Sequence, residues 1–136
     1  MTQEGKALLL KDLCARLPYK VIVDYGYSAF DVHNGNYEKR WSKCTLICSL
    51  LDVFMSPQQD EKGEYIKPYL FPLSSMTEEE WEDYQKIRMI DWVHGDINGT
   101  FINAGLTVDW LNAHHFDYRG LLEKGLAIDA TNLNIY

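Results

Sequence analysis

The first stretch of the chain alternates apolar and charged side chains with the period of a helix. Over residues 3–17, apolar side chains recur every three or four positions, with Lys11, Asp12 and Arg16 between them. Pro18 follows at once, and a residue that precedes proline disfavours the helical conformation. The pattern predicts an amphipathic N-terminal helix that ends sharply.

After this helix the pattern changes to one that favours strands. The stretch from Val21 to Tyr27 is rich in β-branched and aromatic residues. Asn34 and Gly35 both tolerate positive φ, so they predict the turn of a hairpin. Tyr65 to Leu73 contains two prolines, which exclude a helix and restrict any strand there to a sheet edge.

The segment 43–55 is almost wholly apolar and is ambiguous. An extended conformation would place Cys44 and Cys48 on one face, which predicts a central strand with both thiols in the core. A buried helix of the same length is the alternative.

The clearest local pattern in the chain predicts the start of a second helix. Thr77 and Glu80 form a capping box, and Met76 and Trp81 take the two positions of a hydrophobic staple. We expect this helix to reach about Met89. Further on, the spacing predicts a short helix capped by Thr107 and a last helical turn ended by Gly125. For the tail from Ala127 to Tyr136, an added strand and an extended conformation are the two alternatives.

These elements together predict one α+β domain spanning residues 1–136. It has an N-terminal helix, an antiparallel sheet built from residues 19–72, and helices from residue 77 onward packed on one sheet face. A barrel-like closure of the sheet is an open alternative.

Composition narrows the class of function. Thirteen basic and twenty acidic residues give a net charge of −7, and without a Lys/Arg run we expect no direct binding of nucleic acid. The longest apolar run near the N-terminus, residues 7–10, is too short for a signal peptide or a membrane span. Three cysteines cannot all pair with one another, which favours reduced thiols and a cytoplasmic protein.

The sequence contains no recognisable catalytic, cofactor or metal motif. Cys44 and Cys48 lack the further cysteines of an iron–sulfur ligand set. His94, His114 and His115 match no standard zinc spacing, since adjacent histidines on a helix point about 100° apart. A small metal-dependent enzyme would require His94 and His115 close together in a cleft.

One segment near the C-terminus has the composition of an interface hot spot. We predict that it forms part of a partner-binding face, with these residues as candidates: Trp110, His114, His115, Tyr118 and Arg119. A small domain also needs aromatic rings in its core, so Trp110 and Phe116 have a structural interpretation as well.

The start of the second predicted helix is strongly acidic. Its candidate acidic patch consists of Glu78, Glu79, Glu80, Glu82 and Asp83. Such a cluster can imitate the phosphates of DNA and inhibit a nucleic-acid-directed host defence, provided that it forms one strip with Asp60, Glu61 and Glu64. It is also the ordinary solvated start of a helix, where acids suit the helix dipole.

Three stretches, 6–18, 66–77 and 115–127, resemble small uncharacterised proteins of gut anaerobic bacteria, their prophages and their mobile elements. This resemblance implies a context and assigns no activity to any residue. Together with the absence of catalytic motifs, it leads us to expect a non-enzymatic accessory protein of a phage or mobile element that binds a protein partner.

Overall fold

The computed structural model describes residues 2–55, 65–95 and 105–136, without the side chains of Val53, Tyr65 and 91–95. Helix α1 spans Gln3–Arg16, and the hydroxyl of Thr2 caps it by accepting the N–H of Gly5 at 3.0 Å. A 3-10 turn over Leu17–Tyr19 ends the helix at Pro18. The predicted N-terminal helix and its sharp end are confirmed.

The next two elements form a long hairpin. Strands β1 (Ile22–Asp31) and β2 (Asn36–Thr45) pair antiparallel over ten residues each. The turn between them contains Gly35 at φ 72°, whose N–H donates to the carbonyl of Asp31 at 2.9 Å. Asn34 and Gly35 therefore form the predicted turn.

Strand β3 (Tyr65–Pro72) lies inside the sheet, so the prediction of an edge strand is wrong. Its residues 65–68 pair with β1, and the short strands β4 (Phe116–Asp117) and β5 (Ile128–Asp129) pair with it in parallel only from Tyr69 onward. On the side of β3 that faces away from β1, no described strand pairs with Pro68. A proline nitrogen that faces this side therefore leaves no backbone hydrogen bond of the sheet unmade. The described strands therefore form a mixed sheet with order β2-β1-β3-β4, in which β5 also pairs with β3, so the prediction of an antiparallel sheet is wrong for its last two strands. These strands do not close into a barrel.

The ambiguous segment 43–55 divides into two elements. Strand β2 ends at Thr45, and helix α2 spans Cys48–Met55, so the prediction of one central strand is wrong. Among the described side chains of α2, Leu51 and Phe54 are buried, and their separation of three residues is a helical spacing. Cys44 packs half-buried against the core, whereas Cys48 is exposed, contrary to its predicted core position.

Two helices follow the sheet. Helix α3 spans Glu78–Gly95 and begins with the predicted capping box: the N–H of Glu80 donates to Thr77 Oγ1 at 3.1 Å, and Glu80 Oε1 accepts from the N–H of Thr77 at 3.2 Å. It continues beyond the predicted end at Met89. Helix α4 spans Gly105–Ala113, starting two residues before Thr107.

The predicted final helical turn is a hydrogen-bonded turn without regular helix. The N–H of Leu126 donates to the carbonyl of Leu121 at 2.9 Å, and Gly125 takes the left-handed conformation at φ 68°. The core includes side chains of α1, the sheet, α2 and this turn, among them Leu9, Leu13, Val23, Ile66, Leu70, Leu51, Phe54 and Leu121. The α+β class is confirmed. Among the described residues, no helix combines the length and apolar character needed to cross a membrane.

Candidate functional site

The predicted partner-binding segment folds largely into the protein. The half-buried ring of Trp110 lies among three other rings, with centroid distances of 5.7 Å to Tyr84, 4.1 Å to His114 and 5.7 Å to Phe116. Phe116 is buried and is also 6.1 Å from Phe71 on β3. The structural interpretation of Trp110 and Phe116 therefore agrees with their packing.

The two adjacent histidines lie in different environments. His114 is exposed, and its Nδ1 lies 2.9 Å from the carbonyl of Trp110. His115 is half-buried in the left-handed conformation at φ 61°, and its ring stacks on Tyr136 at a centroid distance of 3.7 Å. Its carbonyl accepts the N–H of Phe71, so this residue connects α4 to the sheet.

Tyr118 and Arg119 pack against α1. The Tyr118 hydroxyl donates to Asn112 Oδ1 at 3.0 Å, and the guanidinium carbons of Arg16 and Arg119 lie 5.3 Å and 4.7 Å from its ring centroid. Of the five candidate residues, only His114 is exposed. Binding of a partner by this segment stays a prediction.

A buried ion pair below Tyr118 was missed by the sequence analysis. Arg16 and Asp12 are both fully buried, and Arg16 Nε donates to Asp12 Oδ2 at 2.7 Å. Arg16 Nη2 also donates to the carbonyl of Phe116 at 2.7 Å, while Arg119 Nε lies 3.5 Å from Asp12 Oδ1. Burial raises the pKa of Asp12 and outweighs the lowering effect of the hydrogen bond from Arg16. The cluster joins α1 to the C-terminal segment.

His115 supplies a pH-dependent contribution to stability. Its pKa is lowered from 6.5 to about 4, first by burial and then by Arg16 and His114. The folded pKa lies below the unfolded one, so this contribution is present above pH 6.5 and is lost as the pH falls from 6.5 through 4.

We expect the urea midpoint of the wild type to fall as the pH is lowered from 6.5 to 4. The midpoint of His115→Asn should fall less, because asparagine carries no titrating group. Asparagine also tolerates the left-handed conformation of this position. His114→Asn is the control and should keep most of the dependence, because burial, the main cause of the lowered pKa of His115, remains. Equal pH profiles for the wild type and His115→Asn would contradict the assignment.

The acidic cluster lies on the first two turns of α3. Glu78, Glu79, Glu82 and Asp83 are exposed, whereas Glu80 is half-buried and engaged in the capping box. The other members of the proposed negative strip, 60, 61 and 64, lie outside the described residues. DNA mimicry therefore stays a prediction.

The metal-site hypothesis rests on a residue whose side chain lies outside the described part. That residue is His94, and its distance to His115 is undetermined. Among the side chains that are described, no three of the His, Cys, Asp or Glu type lie close enough to share a metal ion.

Among the described side chains, the most exposed aromatic surface lies on the hairpin, which was not among the predicted sites. Residues paired across antiparallel strands point to the same face, and the register pairs Phe30 with Tyr37 and Gly26 with Trp41. The side chains of Val23 and Tyr25 contribute to the core from the opposite face. We name the solvent face of β1 and β2 the outer face.

The rings of the outer face are solvent-accessible. Phe30 is 53% exposed, Tyr37 75% and Trp41 39%. Phe30 and Tyr37 meet edge to face at 5.3 Å. A Cβ at position 26 would lie 2.9 Å from Cη2 of Trp41, so the indole lies directly on the Gly26 backbone. The outer face thus presents three large rings on a regular backbone.

Lysine side chains accompany these rings. Lys39 Nζ lies 5.1 Å from the Trp41 ring centroid, and Lys43 Nζ lies 5.1 Å from the Tyr69 ring centroid. Lys43 and Lys67 both flank Asp24, the carboxylate opposite each of them in the register. The lysines therefore outnumber the carboxylates on the outer face.

Comparison with protein-family models, with curated proteins and with solved structures finds no match. The family resemblance of the three stretches therefore stays a prediction, and the functional argument rests on the geometry.

Proposed function

We propose that the protein is a non-enzymatic binding protein and that it recognises a partner protein through the outer face of the β1–β2 hairpin. The observation that carries this proposal is the exposure of Phe30, Tyr37 and Trp41 on one face. Aromatic residues are enriched in protein interfaces, where they supply large contact areas. An accessory role in a phage or mobile element, implied by the resemblance alone, is part of the same proposal.

The shape of the hairpin supports this surface over the segment 110–119. Strand β3 pairs with β1 only between Val23 and Gly26, so the hairpin extends beyond the three-stranded part of the sheet. In β2, every residue except Cys44 is exposed. Most of the side chains of 110–119, in contrast, already contact other parts of the same chain. A partner can reach the hairpin without rearranging the fold.

Site-specific photo-crosslinking tests the proposal. A photoreactive phenylalanine analogue replaces Tyr37 on the outer face, and in a control it replaces Lys11, which is exposed on α1. In lysate of the native host, we expect position 37 to crosslink a defined protein that position 11 does not. The same products from both positions, or none from position 37, would contradict the proposal.

A further inference from the structure

We propose that the partner contributes an acidic, extended segment that adds as a strand to the edge of β2 that faces away from β1. This inference rests on the proposed function and names the partner's chemistry. Among the described strands, β2 stands at the end of the sheet order, with β1 as its neighbour. An edge strand presents backbone N–H and C=O groups that a further strand can pair with.

The charge of β2 differs from that of the rest of the chain. The strand carries Lys39, Arg40 and Lys43 against one acid, Glu38, in a protein with a net charge of −7. The strand is thus locally basic in an acidic protein. Lysines on an edge strand disfavour its pairing with most other strands. A strand whose carboxylates compensate these lysines therefore binds more tightly than strands without such carboxylates.

The distribution of these cations favours a strand over a ligand that lies flat on one face. Lys39 and Lys43 belong to the outer face, whereas Arg40 pairs with Tyr27 on the opposite face. Side chains of an added strand alternate between the two faces, so its carboxylates can meet cations on both. A ligand on the outer face alone would leave Arg40 unused.

The same features disfavour the two other occupants. A nucleic acid strand carries a charge on every nucleotide, and the −7 net charge of the protein opposes its approach. A second copy of the chain presents the same basic strand, and like charges directly opposite each other are destabilising.

The inferred partner segment has a sequence requirement. Its outward side chains lie beside Tyr37, Lys39, Trp41 and Lys43, which alternate ring and cation along the outer face. Carboxylates would pair with the lysines, and β-branched residues would pack against the rings. Because successive side chains of a strand point to opposite faces, acidic and β-branched residues should alternate along each face, at every second position. We expect such a segment to be about as long as β2.

A synthetic peptide that repeats Glu-Glu-Thr-Thr, matched in length to β2, tests this inference, because glutamate and threonine then alternate along each face of the strand. A lysine–threonine peptide and an oligothymidine of similar length are the control ligands. Affinity is measured by fluorescence anisotropy, and hydrogen exchange of the β2 amides is followed by NMR. We expect the glutamate peptide alone to bind, with every second β2 amide gaining protection as its N–H pairs with the new strand.

The matched variants are Lys39→Gln with Lys43→Gln, and Lys11→Gln with Lys86→Gln on exposed helix positions. Glutamine is chosen because a reversed charge beside Asp24 would disturb the hairpin. Losing two attractive cross-strand contacts should weaken the binding of the glutamate peptide about fivefold. The control pair should leave it unchanged.

Several results would overturn the inference: equal binding of both peptides, binding of oligothymidine only, no peptide binding, or protected β2 amides in a dimer without peptide. If crosslinking at position 37 still captures a protein, the proposed function stands and only the strand-addition inference fails. If neither experiment gives a product, the proposed function fails as well.

Discussion

Replacement of Arg16 by methionine will destabilise the protein by about 3–5 kcal/mol, because it leaves a buried carboxylate without its main partner. Arg16 and Asp12 are fully buried and joined at 2.7 Å. The substitution also removes the hydrogen bond to the carbonyl of Phe116, which connects α1 to the C-terminal segment. Urea denaturation at neutral pH measures the loss.

The double variant Asp12→Leu, Arg16→Met separates charge from packing. It should recover part of the loss, since burial already outweighs the attraction of Arg16 in setting the pKa of Asp12. In Arg16→Met the pKa of Asp12 rises further. Protonation of Asp12 then stabilises the folded state below this pKa, and that stabilisation is lost as the pH rises through it. The single variant should therefore lose less stability at pH 5 than at pH 8.

A double variant as unstable as Arg16→Met at both pH values would contradict the electrostatic explanation. In that case the loss would come from the hydrogen bond to Phe116 and from the altered packing. Lys11→Met, at an exposed position of the same helix, is a suitable control for the substitution itself, and it should change stability little.

The elements that the sequence predicted correctly are those specified by neighbouring residues. The capping box of Thr77 and Glu80 specifies where α3 begins, and the turn at Asn34 and Gly35 specifies the hairpin. Pro18 ends α1 within a 3-10 turn. In each case the hydrogen bonds or steric limits act within a few residues, so a local pattern suffices.

The errors concern choices that tertiary contacts make. A short apolar run such as 43–55 fits a strand or a helix by composition, and only the packing of Leu51 and Phe54 against the core decides. The two prolines of β3 predicted an edge strand, but β3 lies inside the sheet. The sheet accommodates Pro68 because the pairings on the side away from β1 begin only at Tyr69. That arrangement depends on strands that begin far along the chain, at Phe116 and Ile128.

The sites illustrate the same limit. Asp12 and Arg16 share the helical spacing of Leu9 and Leu13, so a closer examination of α1 would have placed both on the buried face. The rings and lysines of the outer face become one surface only through the register of three strands. Conversely, the aromatic composition of segment 110–119 is typical of both protein cores and protein interfaces. Composition alone therefore could not decide between these two environments.

Removal of the Tyr136 hydroxyl, in Tyr136→Phe, will destabilise the protein by about 1–2 kcal/mol, because two backbone groups lose their partner. The hydroxyl accepts the N–H of Ile22 at 3.0 Å and donates to the carbonyl of Tyr69 at 2.7 Å. Ile22 and Tyr69 would form the next pair after Val23 and Pro68 in the register of β1 and β3. The phenol thus bridges the two strands where their ladder ends.

The alkaline pH profile makes this prediction specific to the hydroxyl. Burial is the main reason that the pKa of Tyr136 rises from 10.0 to about 12. A raised folded pKa means that the contribution is complete below pH 10 and is lost as the pH rises through 12. Tyr69 also has a raised pKa, so the test is the difference between Tyr136→Phe and the wild type in urea midpoints from pH 9 to pH 12. The two midpoints should converge over that range, because ionisation deprives the wild type of the hydroxyl donor that the variant already lacks. A constant difference would show that the hydroxyl does not form the stabilising bridge between the strands.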